Sequence, residues 1–434
     1  MRRRRFLQGS AAAAGAWFAP FAHAAPKRAA GRAPFDWDGP PVAVVGGRVL
    51  VGDGRTIEGG VVEFSGSRIT KVGPGPATAG ARIVDAKGKV VAPGFLAAQS
   101  QVGLVEIEAE EATKDLGRDD EHPVRAAYDV AEAVHAGSSL VPVTAVEGVT
   151  TTITVPRGGV LSGRGALLDM VAWDHRGIVG RRGVVMNGRL GRAYAGSRAA
   201  TLALLRRTLE DARFYRANRR AFDRRALRDL AAHPADLDAL AGVLAGRMPL
   251  ALAADRASDI LAAVDLAAAF RLRLVVVGGA QAWQVADVLA EAKVPVVLQP
   301  SHNLPTSIDR LGATMENAAR LHAAGVAIGI AVLDEGHNVR NVTQEAGIAV
   351  AAGLPYDVAI AAISGGLARI YGVDDAWGTL APGKVANVCV FPGDPLELGN
   401  WPEVVFVRGR AIPMETRQTR LRDRYLRQLR EGAP

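Results

Sequence analysis

Short apolar runs rich in β-branched residues alternate with glycine turns at both ends of the chain. The runs near the start cover residues 42–45, 48–51, 61–65, 69–72 and 83–85, and those near the end cover residues 385–391, 404–407 and 410–413. Several short strands at this spacing predict a small β structure. Because the two sets match, we predict that residues 41–92 and 376–414 fold together as one β-sandwich domain.

The segment between these ends, residues 93–375, alternates apolar strand-like runs with longer amphipathic runs. The clearest strands cover residues 149–155, 250–254, 272–277, 294–299 and 326–331, and the clearest helices cover 257–270, 281–292 and 313–324. Repeated βα units predict an α/β fold with a parallel sheet. About 280 residues of this pattern favour a (β/α)8 barrel of the TIM type. A doubly wound open sheet is the alternative.

The last segment, residues 415–434, has apolar residues at helical spacing, namely Leu421, Tyr425, Leu426 and Leu429. This spacing predicts a basic surface helix. We expect the helix to pack on the rest of the protein through its apolar stripe.

The N-terminal residues have the features of an export signal. Arg3, Arg4 and Arg5 lead into Phe6 and Leu7, an alanine-rich run follows, and Ala22-His23-Ala24 forms an A-x-A cleavage site. This pattern resembles the twin-arginine signal, so residues 1–24 are predicted to be removed and residues 25–40 to form a linker. The expected location of the mature protein is the periplasm or the medium.

The charge distribution argues against a nucleic-acid partner, and the cysteine content excludes an internal disulfide. The formal net charge of the 434 residues is +8, but four of the positive charges lie in the predicted signal. The other basic residues are mixed with acids and lack interleaved aromatics, so no nucleic-acid partner is predicted. The single cysteine, Cys389, cannot form an internal disulfide and is expected to be a buried small apolar residue.

Three motifs carry a resemblance to a known family. They are APGFL at residues 92–96, EGVTT at residues 147–151 and WGTLAPGKVAN at residues 377–387. With them the chain resembles the amidohydrolase superfamily, in particular exported bacterial members similar to imidazolonepropionase. The resemblance covers nearly all of the mature chain. It implies a barrel with a composite β domain, hydrolysis of carbon-nitrogen bonds, one or two divalent metals such as zinc, and a dimeric or larger assembly.

The family's metal ligands, however, do not stand at the matching positions. Aligned on APGFL, the two histidines that end the first barrel strand become Gln99 and Gln101. The histidines of the fifth and sixth strands become Ala253 and Gly278, and the aspartate of the eighth strand becomes Ala331. A carboxamide is a poorer zinc ligand than imidazole, and Ala or Gly offers no ligand atom.

The remaining family ligand is a carboxylated lysine after the fourth strand, and the sequence has no lysine that could take this position. No lysine lies between residues 115 and 292, and no histidine lies between His233 and His302. We therefore predict that the usual metal centre is lost and that no cofactor is bound there.

Polar residues that follow the strands are the candidates for any remaining site. Gln99 and Gln101 could hydrogen-bond a ligand, or they could be polar fillers. His302 follows the seventh strand and His337 the eighth, where with Asp334 they could bind one metal or act as acid and base. The alternative for these three is loop capping.

The first strand-to-helix loop is acidic over residues 106–121. Glu106 and Glu108 could bind a cation or attract a cationic ligand. A solvated loop is the alternative, because charge runs are most often exposed.

Two functional hypotheses remain. The first is an exported protein without the metal centre that binds a small molecule or pairs with another subunit, such as a catalytic paralogue. The second is a hydrolase of carbon-nitrogen bonds with a displaced site formed by His302, Asp334, His337 and Glu106 or Glu108. The sequence predicts no nucleic-acid partner and no membrane span in the mature chain.

Overall fold

The computed structural model describes residues 39–117, 122–192, 194–224 and 228–431. The predicted export signal and residues 25–38 of the predicted linker lie outside the described residues, as do residues 118–121 of the acidic loop.

Strands and short helices alternate through most of the described chain. The strands are β1 Val42–Leu50, β2 Thr56–Ser65, β3 Arg68–Gly73, β4 Arg82–Asp85, β5 Val90–Pro93, β6 Phe95–Ser100, β7 Val149–Thr154, β8 Leu161–Asp169, β9 Val179–Arg189, β10 Leu250–Ala254, β11 Leu274–Gly278, β12 Val296–Leu298, β13 Ile328–Ile330, β14 Val388–Phe391, β15 Val404–Val407 and β16 Arg410–Ala411. The α-helices are α1 Leu140–Ala145, α2 Arg198–Ala217, α3 Arg219–Asp223, α4 Pro234–Ala239, α5 Ala241–Leu244, α6 Ala257–Phe270, α7 Ala286–Glu291, α8 Asn317–Ala323, α9 Val342–Ala351, α10 Tyr356–Ala362, α11 Gly365–Tyr371 and α12 Arg417–Glu431.

The two ends of the chain form one eight-stranded sheet. Its strand order is β16-β15-β14-β5-β1-β2-β3, with β4 paired to β1. The ends meet where β14 pairs antiparallel with β5, so that Val388 lies opposite Pro93 and Phe391 opposite Val90. These strands are apolar and buried because both faces of the pair are covered. The predicted joining of the chain ends in one β-rich unit is confirmed.

The middle of the chain forms a barrel sheet in the order β6 to β13 along the sequence. The barrel is confirmed, but the expectation of a wholly parallel sheet needs a correction. Strand β8 pairs antiparallel with both β7 and β9, whereas β9 to β13 are parallel to one another. The connections on either side of β8 carry no α-helix, and antiparallel neighbours need only such direct connections.

Backbone hydrogen bonds bring the first and last strands together at the carboxyl end of the barrel. The Gln101 amide donates to the Glu335 carbonyl at 2.9 Å, and the Asp334 amide donates to the Gln99 carbonyl at 3.2 Å. Gln99 and Asp334 have positive φ angles of 57° and 60°, which are uncommon for residues other than glycine, although Asp adopts them more readily than Gln. Two left-handed residues therefore face each other at the seam of the barrel.

A buried carboxylate joins the barrel to the sheet. Asp169, at the end of β8, is fully buried and accepts hydrogen bonds from the Arg408 guanidinium (2.6 Å from Nε) and the Trp377 indole (3.0 Å). Cys389 on β14 is also fully buried at this junction, as expected.

The C-terminal helix α12 forms, but it does not pack as expected. None of its residues is buried against the described chain, and its apolar side chains are exposed. In the described residues, no helix combines the length and the apolar character needed to span a membrane.

Candidate functional site at the barrel mouth

A cavity of about 370 Å³ lies at the carboxyl ends of the barrel strands. This is the end of such barrels where ligands bind. The residues at or just after strand ends that line it are Gln99, Arg157, Asn187, Arg189, Ala253, Ala254, Asp255, Val277, Gly278, His302, Asp334 and Glu335. Charged side chains thus surround the place where the family resemblance locates a metal.

The two glutamines at the end of β6 are both buried. Gln99 is 2% exposed and its amide nitrogen donates to the Tyr371 hydroxyl at 3.1 Å. Burial raises the pKa of the Tyr371 phenol, so this residue stays neutral. Gln101 is 1% exposed, and neither the nitrogen nor the oxygen of its side-chain amide has a hydrogen-bond partner among the described residues. The side chain of Gln99 therefore binds a core tyrosine, while the side chain of Gln101 could still form hydrogen bonds to a ligand.

The other three ligand positions offer nothing to a metal. Ala253 and Gly278 line the cavity, and Ala331 is fully buried in the apolar barrel interior. A Cβ placed on Gly278, which has a φ of +86°, would lie 2.7 Å from Oδ1 of Asp255. Asp255 therefore occupies the space that a sixth-strand ligand would need. The donor set at these positions does not fit the family's metal centre.

Asp334 is held by two arginines, Arg157 shortly after β7 and Arg189 at the end of β9. Its carboxylate lies 2.9 Å from the Arg189 guanidinium and 3.3 Å from that of Arg157. Arg157 also donates to the Asp334 carbonyl at 2.5 Å. The three side chains are between one third and one half exposed. Solvent therefore reaches this cluster, and its ion pairs are weak enough for a charged ligand to replace them.

Three further ion pairs involve acids that line the cavity. Arg310 donates to Asp255 at 2.7 Å, which places a guanidinium beside the sixth-strand position. Arg198 bridges Asp259 at 3.0 Å and Asp309 at 2.5 Å, and both acids line the cavity. Most of the guanidinium groups at this mouth are therefore bound to carboxylates.

A buried glutamate orders the loops after the seventh and eighth strands. Glu345 accepts hydrogen bonds from the Gln299 amide (2.8 Å) and from the Ser301 hydroxyl (2.6 Å). The side-chain oxygen of Gln299 (Oε1) in turn accepts from the Leu333 backbone amide at 2.9 Å. This network fixes the backbone next to His302 and Asp334.

The histidines and glutamates predicted from sequence separate into two groups. His302 lines the cavity. His337 instead lies beside Glu108 and Glu335, and one ligand atom from each of these three side chains lies within 4.8 Å of the other two. Imidazole and carboxylate atoms at such distances could hold a divalent ion. Glu106 is not part of this group, and its carboxylate accepts from the Ser139 backbone amide at 3.3 Å.

Sequence reasoning missed the residues that dominate the cavity, which are Arg157, Arg189, Asp255 and Arg310. The first three did carry a signal, since Arg157 and Asp255 closely follow β7 and β10 and Arg189 ends β9. Polar residues at the carboxyl ends of barrel strands are the usual site residues. Arg310 ends a short 3-10 helix that begins ten residues after β12, and no local pattern marks it.

The comparisons with known proteins agree with this fold. Residues 262–412 match the model of the amidohydrolase family. An amidohydrolase from Thermotoga maritima MSB8 is 24% identical, with 86% of this chain and 99% of that chain covered and a TM-score of 0.78. The chain has the amidohydrolase fold.

More distant structures agree with this assignment. Molinate hydrolase is 18% identical over 87% of this chain and 96% of its own, with a TM-score of 0.55. An adenosine deaminase from Xanthomonas campestris with bound zinc is 17% identical over 90% and 98%, with a TM-score of 0.51. No curated protein matches the sequence. These neighbours are named as enzymes, and at such identities they show the fold alone.

Proposed function

We propose that this chain is an exported protein of the imidazolonepropionase-like branch of the amidohydrolase superfamily that has lost metal-dependent hydrolysis. In this proposal it binds a small charged molecule at the barrel mouth, alone or as the partner of a catalytic subunit. The N-terminal sequence supports export through its twin-arginine pattern.

The observation that carries the proposal is the replacement of metal ligands by ion pairs. Where the family would hold divalent ions, Asp334 is bound by Arg157 and Arg189, and Asp255 is bound by Arg310. A guanidinium stays protonated at any physiological pH, so it cannot supply the activated water on which amidohydrolases depend. It does bind carboxylates and phosphates through paired hydrogen bonds.

The cavity therefore favours a small molecule with an anionic group. Arg256, exposed at the start of α6, also lines the cavity and makes no ion pair among the described residues. A volume of about 370 Å³ is within the range of small-molecule sites. The carboxylates on the same walls favour a ligand that carries hydrogen-bond donors as well, such as an amide-bearing acid.

The test is a thermal-shift series with small ligands of defined charge. N-acetylglycine and glycylglycine, both carboxylates, are expected to raise the melting temperature in a concentration-dependent way, whereas N-acetylglycinamide, which is neutral, is not. Arg189→Gln should weaken the shift. Arg247→Gln is the matched control, because Arg247 is exposed before the start of β10, at the opposite end of the barrel. The proposal fails if neither carboxylate raises the melting temperature, or if the rise is the same in Arg189→Gln as in the original protein.

A second candidate function is hydrolysis through a displaced site. The specific observation in its favour is the proximity of Glu108, Glu335 and His337. If these residues hold a divalent ion, the ion would supply an activated water beside the cavity that Glu335 lines. Hydrolysis of carbon-nitrogen bonds that is lost on His337→Ala, and kept in Arg189→Gln, would favour this candidate over the first.

A further inference from the structure

The surface of helix α12 carries two separate stripes. Leu421, Tyr425 and Leu429 are four residues apart and therefore lie on one side, with Leu426 next to them. The side chains are exposed to between 38% and 79%. A helix of a folded protein normally buries such a stripe, and here the described chain provides no cover.

The other side of α12 is strongly basic. The arginines at three- and four-residue spacing are Arg417, Arg420, Arg424, Arg427 and Arg430. Arg422, three residues before Tyr425 and four before Leu426, lies on the apolar side, where it pairs with the neighbouring Asp423 at 2.7 Å. The helix contains only two acids, Asp423 and Glu431. Most of the positive charge is therefore free to interact with something outside the described chain.

These two stripes identify the chemistry of the partner. From them we infer that α12 docks the protein on a membrane surface that contains anionic lipids, with its axis in the plane of the interface. Basic residues on one side and Leu or aromatic residues on the other are the composition of helices that lie at the lipid boundary. Tyr425 suits this boundary because its ring is apolar and its hydroxyl is polar.

Other partners fit the observations less well. A nucleic acid would use the arginines but would leave the leucines in water. A second copy of the helix would cover the leucines but would bring two strongly basic helices together. Anionic lipid satisfies both stripes at once, because head groups bind the arginines and acyl chains bind the leucines. This surface is separate from the barrel mouth, so the inference does not depend on the ligand-binding proposal.

The test is co-sedimentation of the full chain with vesicles. Vesicles of phosphatidylglycerol and phosphatidylcholine in equal parts are expected to bind the protein at low salt, and vesicles of phosphatidylcholine alone are not. Each arginine near an anionic surface contributes on the order of 1 kcal/mol, so the variant Arg420→Gln, Arg424→Gln, Arg427→Gln should bind about a hundredfold more weakly. A second variant, Leu421→Ser with Leu429→Ser, keeps all charges and should also lose binding.

The control removes the same charge from another helix. Arg206, Arg207 and Arg216 are exposed on α2, whose apolar side is buried, and their replacement by Gln should leave vesicle binding within about twofold of the original. Equal binding to neutral and anionic vesicles, no binding to either, or an equal loss in the α2 control would overturn the inference. So would unchanged binding in the serine variant, since the arginines alone would then suffice.

Discussion

Two aspartates of this protein, Asp169 and Asp334, are each bound by arginine, yet their settings differ. Asp169 is fully buried between the barrel and the composite sheet, where Arg408, Trp377 and Asn387 donate to it. Asp334 is about one third exposed at the barrel mouth, lines a cavity, and has a positive φ angle. A saturated, buried carboxylate stabilises the fold, whereas an exposed one at a cavity is available to a ligand.

The largest effect is expected at the buried aspartate. Asp169→Asn keeps the size of the side chain but removes the buried negative charge that binds Arg408, whose side chain is 18% exposed. Loss of one partner of a buried ion pair costs about 3–5 kcal/mol. Urea unfolding should therefore show a fall in the free energy of unfolding of about 3 kcal/mol.

The control for this change is Asp375→Asn. Asp375 binds Arg181 at 2.7 Å with a side chain that is 64% exposed, so the same substitution should cost less than about 1 kcal/mol. Equal losses in the two variants would contradict the structural role of Asp169.

A second effect at the same junction depends on pH. Burial raises the pKa of the Cys389 thiol, so the folded protein keeps the thiol proton while the unfolded chain releases it above about pH 8.5. The unfolded state is then favoured, and the free energy of unfolding falls by up to about 1.4 kcal/mol per pH unit above that value.

Cys389→Val removes the titrating group and should lose this part of the pH dependence. The measurement is urea unfolding of both proteins at pH 7.5 and pH 9.5, in which other titrating groups act alike. Parallel losses for the two proteins would mean that Cys389 does not hold its proton in the folded state.

The smallest effect on stability is expected at the mouth. Asp334→Asn preserves a residue type that tolerates a positive φ angle, and exposed ion pairs contribute less than about 1 kcal/mol to stability. The same change frees Arg157 and Arg189, so N-acetylglycine should bind about two- to fivefold more tightly. Isothermal titration measures this affinity, and a weaker affinity in the variant would show that Asp334 takes part in ligand binding directly.

The sequence predicted those parts of the fold that depend on local periodicity. Helix α6 begins and ends where the pattern places it, and strand β10 coincides with the apolar run at residues 250–254. The composite sheet followed from matching runs at the two chain ends. The antiparallel direction of β8 was not predictable in this way, because hydrophobic pattern carries no information on strand direction.

The sequence predicted several residues that line the cavity, namely Gln99, His302 and Asp334, but not the ion pairs between them and other residues. The positions of Ala253 and Gly278 at the mouth followed from strand ends and family motifs, and both line the cavity. The pairing of Arg157 with Asp334 joins residues 177 apart in sequence, and no local rule selects one arginine from many. The exposure of the α12 stripe was likewise not predictable, since periodicity shows which side is apolar but not what covers it.

The central claim is that ion pairs have replaced the metal centre, and metal analysis tests it most directly. The purified protein is measured by elemental mass spectrometry as isolated, and again after incubation with zinc or manganese followed by dialysis. We predict less than about a tenth of an equivalent of metal per chain in both samples, because the family positions hold no imidazole or carboxylate. One tight equivalent that disappears in Glu335→Gln with His337→Ala would contradict this claim and would place a working metal at the displaced site.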